Sequence, residues 1–242
     1  MFSFFKPKAQ TSLAPLQTDI HSHLLPQLDD GSKSLEESGQ IIRQFIDLGY
    51  TKIITTPHVM GDFYRNEPKQ ISEKLTLLRQ YLESEKISIP IEAAAEYYLD
   101  ESLISKLNQN EKLLTFGSSY LLFETNFLTE PFQLKEFIFS VTTLGYKPVL
   151  AHPERYQYLV NDFKKVEDLR DRGVLFQINI PSIIGAYSKP IQKLAIQLVE
   201  MKWVEFLGSD CHNQFQVDIL KESFNNKHFK KALELPLLNR SL

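Results

Sequence analysis

Six times along the chain a short apolar run closes on a histidine or a carboxylate, and that recurrence restricts the fold more than any other feature. Residues 16–20 lead into His21 and His23, 52–56 into His58, and 87–95 into Glu96. Residues 120–123 lead into Glu124, 147–151 into His152, and 204–208 into Asp210 and His212. Runs of this length and β-branched content read as buried strands. In the first, Thr18-Asp-Ile-His-Ser-His23, the alternation of an extended chain puts both imidazoles on one side, a geometry that can grip a metal ion. A lone His-x-His is weak evidence for such a site. Its recurrence with matched chemistry at six strand ends is not weak, because those ends must then share one mouth.

Helical patterns fill the intervals. Ser34 offers an N-cap, with Glu37 as its capping-box partner, for a helix over 34–48 that carries Ile41, Ile42, Phe45 and Leu48 and stops at Gly49. Others are expected over 71–86, 103–107, 132–144 with Pro131 at its start, 163–172, 191–201 and 221–233. A seventh strand, 174–180, ends in Asn179-Ile-Pro181. Strands alternating with helices argue for parallel pairing through right-handed crossovers. A closed seven-stranded (β/α) barrel gathers six strand ends at one mouth, whereas an open doubly wound sheet would spread them along its edge. Residues 16–242 are expected to form one α/β domain.

A formal net charge of −3 gives no electrostatic case for nucleic acid. The single cysteine excludes an internal disulfide framework and fits a reducing compartment. No apolar run reaches the roughly 18–20 residues that span a bilayer, and the cytoplasm is the expected location. Residues 1–15 read as a flexible N-terminal arm, and the alternative for Met1-Phe-Ser-Phe-Phe-Lys-Pro-Lys8 is an aromatic and basic contact with a partner or membrane surface.

The strand-end residues comprise five histidines (His21, His23, His58, His152, His212) and the carboxylates Glu96, Glu124 and Asp210, joined by Asp30 from the Asp29-Asp30-Gly31 loop. Mixed nitrogen and oxygen donors suit Mn²⁺, Fe²⁺ or Zn²⁺ and do not suit Ca²⁺ or a thiolate-bound structural zinc. Nine candidates exceed the coordination of one ion and suggest two or three sharing carboxylates, a site suited to phosphoryl transfer. Arg155, three residues past His152, is placed to meet a substrate anion with its guanidinium fork. A cysteine-based tyrosine phosphatase would need an arginine six residues after its nucleophile, but Val217 holds that place after Cys211. Cys211 reads as a small filler between two ligands. Phe63, Tyr64, Phe127, Tyr156 and Tyr158 follow strand ends, where a ring could stack on an aromatic substrate.

These motifs in their order, Asp19-Ile-His-Ser-His23 with Leu25-Pro26 and Asp29-Asp30-Gly31, Thr55-Thr-Pro-His58, Glu96, Phe123-Glu124, Ala151-His-Pro-Glu-Arg155 and Gly208-Ser-Asp-Cys-His212, closely resemble the polymerase and histidinol phosphatase (PHP) superfamily. More narrowly they resemble its bacterial protein-tyrosine phosphatases from capsule and exopolysaccharide gene clusters. The resemblance implies a distorted (β/α)7 TIM-like barrel and a site of three divalent ions, usually Mn²⁺. It implies that His21, His23, Glu96 and Asp210 hold one ion, that Glu96, Glu124 and His152 hold a second, and that Asp30, His58 and His212 hold the third. Asp29 competes with Asp30, and Asp30, next to Gly31, is preferred. Arg155 matches the phosphate-contacting arginine, with His152 and Asp210 essential to hydrolysis of phosphotyrosine in a protein, expected to be the tyrosine-rich tail of a partner kinase. Two rival readings keep the metal site: a small-molecule phosphomonoesterase of the histidinol-phosphatase type, and a non-catalytic scaffold in a polysaccharide-export complex. The 34–48 helix, with Glu36, Glu37 and Arg43 on its flank, is a candidate surface for a homo-oligomer.

Overall fold

Nine strand segments, every pair parallel, occupy seven passes of the chain in a computed structural model that describes residues 16–242. In chain order they are β1 (Thr18–Asp19), α1 (Leu35–Asp47), β2 (Lys52–Thr55), β3 (His58–Val59), α2 (Pro68–Ser84), β4 (Ile91–Ala93), β5 (Glu96–Tyr98) and α3 (Glu101–Asn108). Then come β6 (Tyr120–Glu124), α4 (Leu134–Thr143), β7 (Lys147–Ala151), α5 (Gln157–Val160), α6 (Phe163–Asp171), β8 (Leu175–Asn179) and α7 (Ile180–Ile184). The chain finishes with α8 (Lys189–Glu200), β9 (Phe206–Gly208), α9 (Gln214–Ser223) and α10 (Lys227–Leu233). The residues expected to form an N-terminal arm, with Phe2, Phe4 and Phe5, lie outside the described residues. Among the described residues no helix is long and apolar enough to cross a membrane.

The expected seven strands become nine because two passes break at the same level. Pro57 has no N–H to give to a ladder, so the second pass stops at Thr55 and resumes at His58. Its neighbour breaks beside it, and the register carries straight on, from Thr55 opposite Ala93 to His58 opposite Glu96. Two sheets result, in the orders β1-β2-β4 and β3-β5-β6-β7-β8-β9. The expected 132–144 helix starts later, at Leu134, so Pro131 sits in the turn before it. The expected 221–233 helix is two helices, because Asn226 caps a new one by accepting from the N–H groups of His228 and Phe229.

The parallel sheet curls through a half-barrel. A closed seven-stranded ladder does not form among the described residues, since β1 and β9 share no ladder. Among the described residues the seam carries a single bridge, Ser22–Cys211, with Asp210 N donating to His21 O (2.8 Å) and His23 N to Cys211 O (2.9 Å). Side chains complete it. Asp19 accepts from the N–H (2.9 Å) and hydroxyl (3.1 Å) of Ser209. Asn239, fully buried in the C-terminal turn Leu238–Ser241, accepts from Leu207 N (3.0 Å) and donates to Leu207 O (2.8 Å) and Thr18 O (2.9 Å).

Alternation sorts each strand's side chains between two cores. Ile20, Ile54, Ala94, Leu122, Val149, Ala151 and Phe206 pack together inside the curl, while Ile53, Leu121, Phe123, Leu150, Phe176, Ile178 and Leu207 pack outward in the core shared with the helices. Two residues beyond Ala94 on the inner face comes Glu96, and two beyond Leu122 comes Glu124. The inner core therefore stops at a layer of charge.

Candidate metal centre

All nine ligand candidates converge at the C-terminal ends of the strands. They form four overlapping groups whose ligand atoms lie within 4.8 Å of one another: His23, Asp30, His58 and His212; His21, His23 and Glu96; His21, His152 and Asp210; and His58, Glu96 and Glu124. Glu96 is central, with its oxygens 3.2 Å from His21 Nε2, 3.5 Å from His23 Nε2, and 3.1 Å from both His58 Nδ1 and His152 Nε2. His58 stands between groups, its Nδ1 3.0 Å from Glu124 and its Nε2 3.7 Å from Asp30. His152 and Asp210 hold left-handed backbone conformations (φ 36° and 50°), which non-glycine residues adopt rarely and at an energetic cost.

Asp29 and Asp30 divide cleanly. Asp29 Oδ2 accepts from His23 Nδ1 (2.7 Å) and His58 N (2.9 Å), and its Oδ1 accepts from Gly31 N (3.0 Å), so its oxygens are turned away from the cluster. Asp30 Oδ1 instead lies 3.5 Å from His212 Nε2. Gly31 permits this turn, because a Cβ there would sit 2.2 Å from His23 O. His212 Nδ1 is paired with Asp210 O (3.0 Å). Through these outer contacts His23 and His212 each present a bare Nε2 to the cluster.

Whether cations fit here is answered by the polar atoms that lack partners. His21 Nε2, His23 Nε2, His58 Nδ1 and Glu96 Oε2 are buried without a well-directed hydrogen bond. Buried polar atoms are normally paired, yet these three nitrogens crowd around Glu96 Oε2 at 3.1–3.5 Å with none aligned to bond it. Electrostatics agree. Burial opposes charge on His21, yet Glu96 and Asp210 push its imidazole up to about 10. Burial likewise opposes charge on His58, and Glu96 and Glu124 raise it to about 12. Asp210 is held well below the usual carboxylate range against its burial by His21, His212 and Arg155. Such a field asks for positive charge, which divalent cations supply in place of protons. The donor set fits them.

The centre floors a cleft of about 510 Å³ lined by Tyr64, Tyr98, Asn126, Phe127, Tyr187 and Gln216 among others. Arg155 reaches it from the turn Pro153–Arg155, donating to Asp210 Oδ2 (2.9 Å) with its guanidinium 4.8 Å from the ring centres of both Phe127 and Tyr187. Tyr64 stacks on His58 (5.6 Å, 11°). The aromatics named from sequence separate here. Phe63 is exposed, Tyr64 and Phe127 line the cleft, and Tyr156 and Tyr158 are core residues instead: both are buried, with Tyr156 OH accepting from Thr125 N (3.2 Å) and Tyr158 OH paired with Thr125 Oγ1 (2.8 Å). Cys211 is buried too, and burial pushes its thiol up, away from nucleophilic thiolate.

Sequence reasoning passed over four contributors: Asp29 as the partner of His23, Tyr187 against Arg155, and the buried amides Gln177 and Asn179 beside His21 and Asp210. For the amides a signal existed, since Leu175-Phe176-Gln177-Ile178-Asn179 alternates and sets both on the inner face. For Tyr187, beyond a short helix in a loop, there was none.

The sequence matches the family described as capsular polysaccharide synthesis, CpsB/CapC, over residues 17–221. It is 30% identical over 226 residues to the tyrosine-protein phosphatase CpsB of Streptococcus pneumoniae, covering 88% of this chain and 93% of that one. It is 30% identical over 195 residues to the tyrosine-protein phosphatase YwqE of Bacillus subtilis (strain 168), covering 81% and 77%. In three dimensions it matches, with a TM-score of 0.77 and 28% identity over 92% of this chain and 94% of the other, a chain from the crystal structures of YwqE from Bacillus subtilis and CpsB from Streptococcus pneumoniae, described as unique metal-dependent tyrosine phosphatases.

Proposed function

Since the chain belongs to the capsular polysaccharide synthesis CpsB/CapC family, we propose that it is a metal-dependent tyrosine-protein phosphatase whose centre is the nine-ligand cluster at the strand ends. The observation that carries this reading is the convergence of unpaired ligand atoms beneath an arginine in an aromatic-walled cleft. We assign His21, His23, Glu96 and Asp210 to one ion, Glu96, Glu124 and His152 to a second, and Asp30, His58 and His212 to a third. Mn²⁺ is the working ion, with Fe²⁺ and Zn²⁺ admissible by donor type. Seven passes pinned at Ser22–Cys211 support the distorted-barrel description. The substrate is a phosphotyrosine protein, proposed to be the tail of a tyrosine kinase governing capsule or exopolysaccharide synthesis in the cytoplasm.

A phosphate monoester brings about −1.5 to −2 charges to a site already rich in carboxylates. Bound cations would supply charge neutralisation and an activated water. The chain's own residues do the rest. Arg155, held between Phe127 and Tyr187, offers its remaining N–H groups to phosphoryl oxygens, and Asp210 fixes where that fork sits. Tyr64 and Phe127 present faces that a phenyl ring can stack on. The leaving phenolate has a pKa near 10, so departure needs little help from a general acid.

The test is a rate assay on metal-stripped protein, adding back Mn²⁺, Fe²⁺, Zn²⁺ or Mg²⁺ with a phosphotyrosine peptide beside histidinol phosphate. Peptide hydrolysis restored by one ion is the expected result. Preference for histidinol phosphate would overturn the substrate, and metal binding without turnover of either would overturn the enzyme.

A further inference from the structure

Strand β8 contributes no histidine or carboxylate to the cluster, yet its two inner positions near the mouth are amides, Gln177 and Asn179, both fully buried. They form one hydrogen-bonded line between two ligand candidates. His21 Nδ1 pairs with Gln177 Oε1 (2.7 Å), Gln177 Nε2 donates to Asn179 Oδ1 (2.9 Å), and Asn179 Nδ2 donates to Asp210 Oδ2 (2.6 Å). The fold makes room for it. Gly208 lies alongside, where a Cβ would come within 2.7 Å of both Gln177 Nε2 and His21 Cβ.

The direction of every bond in this line is forced from one end. An ionised carboxylate only accepts, so Asn179 must turn its NH₂ to Asp210 and its oxygen to Gln177. Gln177 must then turn its NH₂ to Asn179 and its oxygen to His21. His21 must therefore carry a proton on Nδ1, so once a cation takes the place of the second proton, Nε2 keeps its lone pair on the side that faces Glu96 and Asp210 Oδ1 (3.2 and 3.4 Å). Asp210 is sorted in the same stroke, since Asn179 and Arg155 occupy its Oδ2 and Oδ1 alone faces the cluster.

We infer that Gln177 and Asn179 are positioning residues: a relay that locks His21 in its Nδ1–H tautomer and reserves His21 Nε2 and Asp210 Oδ1 for a cation. The inference rests on the metal-centre reading above. Outer partners of this kind are worth about 10–100-fold in metal affinity.

The test titrates Mn²⁺ into metal-stripped wild-type, Gln177→Met and Gln177→Glu proteins, following free Mn²⁺ by electron paramagnetic resonance. Met keeps the volume and removes both the acceptor and the donor; Glu keeps the acceptor for His21 and, held as the neutral acid by its burial, an O–H for Asn179 Oδ1. The expected result is an affinity loss of about 10–100-fold at one site for Gln177→Met, with Gln177→Glu close to wild type. Equal affinity in wild type and Gln177→Met, or equal loss in both variants, overturns the relay and leaves the metal centre standing. Absence of binding of both Mn²⁺ and Zn²⁺ by the wild type overturns the metal centre and the relay with it. If Gln177→Met does not fold, histidine ¹⁵N–¹H correlation on the Zn²⁺-loaded wild type decides: a proton on His21 Nδ1 supports the relay, and one on Nε2 refutes it.

Discussion

Asn239 stands where a strand is missing, and replacing it should reveal what the seam is worth. Its carboxamide acts toward β9 as a peptide unit of a neighbouring strand would, accepting from Leu207 N and donating to Leu207 O, while its second N–H holds Thr18 O of β1. Asn239→Ala strands one N–H and two carbonyls where the side chain had no solvent exposure. At about 1–1.5 kcal/mol for each bond lost among buried partners, the destabilisation is roughly 3–5 kcal/mol. For a chain of this size that corresponds to a fall in Tm of roughly 6–20 °C. Asn239→Asp is more informative. The new carboxyl can still accept from Leu207 N, but when ionised it faces two carbonyl oxygens, so its pKa must rise on folding. The sign follows: the variant retains most of its stability below the unfolded pKa near 4, and loses it as the pH climbs toward the raised folded value. Urea unfolding of both variants between pH 4 and 8 is the assay. A loss under 1 kcal/mol in Asn239→Ala, or a pH-independent deficit in Asn239→Asp, would refute the seam argument.

Other expectations follow from the site. His152→Ala and Asp210→Ala should each lower kcat by more than about 100-fold, beyond the upper end for outer partners, with circular dichroism unchanged; activity near wild type in both would remove them from the centre. Arg155→Lys keeps the charge and loses the fork, so kcat/KM on a phosphotyrosine peptide should fall about 10–100-fold, the equivalent of roughly 1.5–3 kcal/mol in charged hydrogen bonds. Cys211→Ser should leave kcat unchanged and cost about 1 kcal/mol of stability at most, since burial holds the thiol away from thiolate and a serine hydroxyl can keep its bond to Asn213 O; loss of activity in a folded variant would contradict this. Chelation should lower Tm by roughly 5–10 °C where the ion is present at about 100 times its Kd, a stabilisation near 2.7 kcal/mol, and scanning calorimetry with and without Mn²⁺ checks it.

How far the site could be read from sequence depends on side-chain parity. Just ahead of β5 and within β6, the apolar residues that fill the inside of the curl, Ala94 and Leu122, stand two places before Glu96 and Glu124. Alternation alone therefore assigns those carboxylates to the mouth. His58 and Asp210 keep the same parity with Ile54 and Phe206, one across the break at Pro57 and the other across Gly208. His152 breaks the rule. It follows the inner residue Ala151 directly, and it reaches the cluster because its left-handed backbone (φ 36°) turns the chain where a strand would have continued. His21, directly after the inner residue Ile20, also departs from parity, and its orientation is set by contacts to Gln177 and Asp210, 156 and 189 residues away in sequence. The ladder that would close the barrel is left incomplete among the described residues for a related reason. Strand patterns report which residues can pair, but the partner that Leu207 took is an amide from a C-terminal turn, and no local pattern marks Asn239 as a surrogate strand. Residues that face the cluster by alternation are thus legible one strand at a time, while those aimed by distant side chains become legible only once the seam is assembled. His21 and Asp210, which lie on that seam, should then be the ligands most sensitive to changes far from the cluster.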